Sequence, residues 1–121
     1  MKGIAAYQEN AITTQSRGKV VVLLYEGAIK FLTKAAVEIE NGDASRKGYF
    51  INKGLDIIDE LNSALDMEAG GEIAANLRSL YTFMTRQLNK ANLDQDAKMV
   101  REVIKLLEDL NSAWKQIVQG E

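Results

Sequence analysis

Asp56, Asp59 and Glu60 fall within one helical turn, and Glu108 and Asp109 are adjacent, so these carboxylates come closest to supporting acid–base chemistry. Such chemistry needs the acids to converge on a pocket, in environments that push their pKa values apart. All five lie off the apolar stripes of the chain, where a solvated face is the expected setting. The 121 residues contain no His and no Cys. That removes every triad, thiolate and imidazole site. A zinc site would have to be all carboxylate, the di-iron bundles that use Glu-x-x-His pairs are excluded, and a phosphorelay bundle would lack its phosphoacceptor. Gly42 to Lys47 lacks the second glycine that a phosphate loop places before its lysine. The residues point away from an enzyme and ask for no cofactor.

Charge excludes two further classes. Fifteen basic and 17 acidic residues are interspersed, for a net charge of −2. Arg46, Lys47 and Lys53 are the nearest approach to a basic cluster, and Asp43, Asp56 and Asp59 dilute it. Nucleic acid binding requires a concentrated positive surface, and a membrane-surface helix needs a basic polar face. Neither is present. The apolar run at 20–25 is too short to span a bilayer, and no signal-peptide pattern opens the chain. A cytosolic protein without membrane insertion is expected, and the absence of cysteine agrees with a reducing compartment. An apolar content of 46% with 26% charged residues is that of an ordinary globular domain.

Binding must then be sought in the elements themselves. Four helical segments are predicted: Gly18 to Glu40, closed by Asn41-Gly42; a second capped by Asp43 and running to Met67; a third from Glu72 to Asn92, after Gly70-Gly71; and a fourth capped by Asp94 and reaching Val118. No proline interrupts them. Seams at helical spacing run through Ile51, Gly54, Ile58, Leu61 and Leu65, then Ala74, Leu77, Tyr81, Met84, Leu88 and Ala91, then Val100, Val103, Leu107, Leu110, Trp114 and Ile117. With short loops between them, they predict an all-α, antiparallel up-down four-helix bundle. Leu80, Leu107 and Trp114 are expected to be structural, and Gly54 to allow close helix approach.

The first helix carries too much apolar surface for one core face. Val21, Tyr25, Ala28, Leu32, Ala35 and Ile39 form its stripe, yet Val20, Leu24 and Phe31 lie on one flank, Val22, Ile29 and Ala36 on the other, and Leu23 nearly opposite. The second helix repeats the excess with Phe50, Ile57 and Ala64. One reading is a wide buried face. The other is a groove for a peptide, with Val22, Leu23, Ile29, Phe50 and Ile57 as its contacts. Residues 1–16 are polar but carry three anchors, Ile4, Tyr7 and Ile12, so an arm that lies as a lid over the surplus of the first helix is expected ahead of a bundle at 17–121.

Ala6-Tyr7-Gln8, Asn10, Ile12, Thr14 to Ser16 and Leu24-Tyr25-Glu26-Gly27-Ala28 resemble the N-terminal signature of the flagellar export chaperones of the FliS family. The resemblance continues through Gly70-Gly71-Glu72-Ile73-Ala74, Asn76-Leu77, Leu80-Tyr81, Met84, Leu88, Ala91-Asn92, Asp96 and Ala113-Trp114. It departs at Arg17, where the family usually has proline, so the start of the first long helix is set less rigidly. The resemblance implies a cytosolic four-helix bundle with a short N-terminal helical cap. It also implies a client, the disordered C-terminal segment of flagellin, held in hydrophobic grooves and handed to the flagellar type III export apparatus. The alternative is a self-associating helical adaptor whose surplus flanks form a homodimer face.

Overall fold

The computed structural model describes residues 17–120, all of them in four α-helices and the turns that join them. They are α1 (Arg17–Asn41), α2 (Ala44–Ser63), α3 (Gly71–Asp94) and α4 (Ala97–Gln119), with no strand among the described residues. Neighbours pack in the order α1–α2–α3–α4 and back to α1, an antiparallel bundle in which α1 makes the most extensive contacts, with α2 and α4.

Side chains and turns set the helix limits. Gly42, at φ +76°, ends α1 in the left-handed conformation, and the amides of Gly42 and Asp43 donate to the carbonyls of Ile39 and Glu38. That pair of bonds satisfies carbonyls the helix end would otherwise leave open. Asp43 accepts from the Arg46 amide and starts α2, as expected. Two boundaries differ from expectation. α2 ends at Ser63 rather than Met67, because Asp66 accepts from the amides of Glu68 and Ala69 and draws the chain into a turn. The cap of α4 is Asp96 rather than Asp94: Gln95 takes a left-handed conformation at φ 52°, and the Asp96 carboxylate accepts from Lys98 and Met99.

The core is continuous from Tyr25, Ala28, Leu32 and Ala35 on α1, through Ile51 and Ile58, to Met84 and Leu88, and to Val100, Val103 and Leu107. α1 and α2 interlock at two glycines. A Cβ at Gly54 would lie 2.5 Å from Leu32 Cδ2, and one at Gly27 would lie 3.2 Å from Ile57 Cδ1. Gly54 therefore admits Leu32 between the helices, as its place in the seam predicted. Lys47, read from sequence as part of a diluted basic cluster, is buried, and its Nζ donates to the Asn92 carbonyl at 2.9 Å. It caps the last turn of α3 from the side of α2.

Candidate functional site

Burial fails along all four seams at one end of the bundle. Val21 on α1, Leu65 just beyond α2, Leu77 on α3, and Leu110 and Trp114 on α4 are only half-buried, and Ile117 is 56% exposed. Their counterparts further along are sealed: Leu32, Ile51, Ile58, Met84, Leu88, Val100 and Leu107 are wholly or almost wholly inaccessible.

Of these, Val21, Leu65, Leu77 and Trp114 line a cavity of about 530 Å³. Val20, Val21 and Leu24 form its α1 wall, and Leu61, Ala64 and Leu65 the α2 wall. Ile73, Ala74 and Leu77 form the α3 wall, with Trp114 contributed by α4. The turn of residues 64–70 leaves this end open. Its path depends on Gly70, where a Cβ would meet Ala74 Cβ at 2.6 Å and the Asp66 carbonyl oxygen at 2.7 Å. The lining is mainly apolar, with Arg17, Glu60, Ser63 and Asp66 as its polar members. A space of this size lies within the usual range of ligand sites and accepts several side chains.

Tyr81 reaches into the cavity wall, and its hydroxyl lies 2.5 Å from that of buried Tyr25. The rings are tilted, 6.5 Å between centroids. Burial pushes the Tyr25 phenol up, opposed by hydrogen bonding to Tyr81 and Trp114. Burial also pushes Tyr81 up, and here the bond to Tyr25 adds to the rise. Both phenols therefore stay protonated at neutral pH, and they tie α1 to α3 across the bundle. The arrangement can enclose apolar side chains and present a few polar atoms at their edge.

The five residues expected to form the groove divide between two sides of α1, Val22 and Ile29 toward α4 and Leu23, Phe50 and Ile57 on the α2 side. Glu26 pairs with Lys115 at 3.5 Å, which turns the Val22 and Ile29 side of α1 toward α4. Leu23, 41% exposed, faces the α2 side with Gly27. Phe50 and Ile57 are corrected: they are not surplus to the core but buried in it, at 8% and 6% exposure, because Phe31 stacks on Phe50 and Gly27 lets Ile57 close on α1. Leu107 is buried as expected, Leu80 half-buried, and Trp114 stands at the cavity edge rather than sealed in the seam. Ile4, Tyr7 and Ile12 lie outside the described residues. What sequence reasoning missed was the α3 wall: Ile73, 73% exposed, sits beside the seam residue Ala74, two positions after a glycine pair.

Fold and cavity together define a class: a helical bundle built around an apolar recess. The whole chain, residues 1–121, matches the family described as flagellar protein FliS. It is 42% identical over 120 residues to the flagellar secretion chaperone FliS of Salmonella typhimurium, covering 95% of this chain and 89% of that one. Identity is 39% to that of Bacillus subtilis, over 96% of this chain and 86% of the relative, and 39% to that of Vibrio cholerae, over 97% and 90%. The chain belongs to the FliS family, and its part is that of a flagellar export chaperone. Both specific sequence blocks of the resemblance meet in the fold, since Leu24-Tyr25 and Leu80-Tyr81 contribute the two bonded tyrosines.

Proposed function

We propose that this protein is a cytoplasmic chaperone that binds the disordered C-terminal segment of flagellin, prevents its premature polymerisation and delivers the subunit to the flagellar type III export apparatus. Family membership supports the reading, and one observation carries it: all four seams open into a single apolar cavity at one end of the bundle. A client inserting two or three large apolar side chains there gains about 1.5 to 3 kcal/mol for each at full burial, less the cost of ordering its own chain. No chemical step is needed. No described helix is long and apolar enough to cross a membrane.

The cavity is the anchor in this proposal, with exposed Leu23 and half-buried Val22 and Ile29 as flanking contacts of a segment that wraps α1. Residues 1–16 join α1 at Arg17, which itself lines the cavity. The proposed lid, anchored by Ile4, Tyr7 and Ile12, packs on the surplus apolar surface of α1, of which Val20, Val21 and Leu24 line the cavity. Deleting residues 1–16 is expected to leave a folded bundle that binds client at least as tightly, since a competing occupant is gone.

Light scattering with a flagellin C-terminal peptide tests the function. A monomer that forms a one-to-one complex supports it. A stable dimer that ignores the peptide favours the self-associating adaptor and overturns it.

A further inference from the structure

The outer face of the α1/α2 pair differs from the cavity in both place and chemistry. Phe31 and Phe50 stack with centroids 6.4 Å apart, and Tyr49 meets Phe50 edge-on at 5.2 Å. Phe50 is covered, but Tyr49 is 56% exposed. Cations lean on these rings. Lys34 Nζ lies 5.6 Å and the Arg46 guanidinium 5.3 Å from the Phe50 centroid, and Lys53 Nζ lies 5.4 Å from that of Tyr49. Exposed Lys30 stands one turn before Lys34 on α1.

Three cations thus lie against these rings, with Lys30 one turn away, in a chain of net charge −2. A ring face attracts a cation through its quadrupole but does not neutralise it. Arg46 has Glu38 as its counter-charge. Lys30, Lys34 and Lys53 have no carboxylate partner among the described residues.

We infer that this face docks an acidic amphipathic helix of a partner protein, its apolar residues against Tyr49 and Phe31 and its carboxylates on Lys30, Lys34 and Lys53. Lys30 and Lys34 match carboxylates one turn apart on the incoming helix, and Lys53 supplies a third point from across the rings. Nucleic acid or an anionic membrane would require a longer basic surface. Charged rims speed and orient association more than they tighten it, so the contact is a transient one. No residue of this face lines the cavity. The two sites can be filled together, and the inference stands apart from the flagellin reading.

The test is a titration with a four-turn peptide of Leu and Glu in amphipathic register, beside the same peptide with Lys for Glu. The acidic peptide should bind saturably, weaken about tenfold between roughly 50 and 300 mM salt, and leave Trp114 emission unchanged. Lys30→Glu combined with Lys53→Glu should cost at least about tenfold in affinity, and Tyr49→Ser several-fold. These side chains are exposed or partly so, and matched melting curves identify variants that still fold. Four results would overturn the inference: equal binding of the two peptides, charge reversal without effect, a shift in Trp114 emission, or tighter binding of an oligonucleotide or a phosphatidylserine vesicle than of the acidic peptide.

Discussion

Midway along α1, Leu32 is inaccessible, held against Gly54 with no space for even one added carbon. Two to three turns earlier on the same helix, Val21 and Leu24 line an open cavity. The side chains are of one kind, and their neighbours differ. At Leu32 a glycine on α2 brings the helices together. Around Val21 and Leu24 the last turn of α2 and the first turns of α3 stand back from α1, and the space between them stays open. Close packing is complete in the first region, whereas the second keeps an open apolar space.

Paired truncations give the sharpest contrast. Leu32→Ala should cost about 2 to 5 kcal/mol, seen as a large fall in melting temperature. Leu77→Ala, on the cavity wall, should cost under about 1 kcal/mol while weakening the flagellin peptide. Equal losses of stability would erase the distinction between the regions.

Gly54→Val is expected to cost about 1 to 3 kcal/mol in denaturant unfolding, because Leu32 has nowhere to move. A neutral result would show that α1 and α2 are not interlocked there.

Tyr81→Phe removes the partner of the buried Tyr25 hydroxyl and should cost about 1 kcal/mol at neutral pH. Both phenols are raised above 10.0 in the fold. Their contribution is therefore complete below about pH 10, the unfolded value, and lost as pH rises through the folded values. The wild type should lose stability steeply above pH 10, and Tyr81→Phe less so. Parallel alkaline melting curves would contradict the account of the pair.

The smallest effect is expected at Gln95, a non-glycine residue at φ 52°. Gln95→Gly should raise stability by about 0.5 to 1 kcal/mol, measured by melting, without altering client binding.

The sealed region was largely readable from spacing. Tyr25, Leu32, Ile58, Met84, Leu88 and Leu107 fall where helical periodicity put them, and Gly54 was recognised in its seam. The open region was less so. Periodicity reports which face of a helix turns inward, not whether another element arrives to cover it. Val21, Leu65, Leu77 and Trp114 were therefore read as core when they are cavity wall, and Phe50 and Ile57 as surplus when they are covered. Asn111 shows the same limit: no seam included it, yet it is only 4% exposed, and its Oδ1 has no hydrogen-bond partner among the described residues. Lys47 was read by charge alone, because its acceptor at Asn92 lies 45 residues away.

The chain has one tryptophan, and it stands in the cavity wall. Trp114 emission, followed while flagellin C-terminal peptide is titrated, therefore reports directly on where the client goes. The account predicts a blue shift and protection from iodide quenching that saturate at one peptide per chain. Calorimetric binding of that peptide with Trp114 emission and quenching unchanged would place the client elsewhere and contradict it.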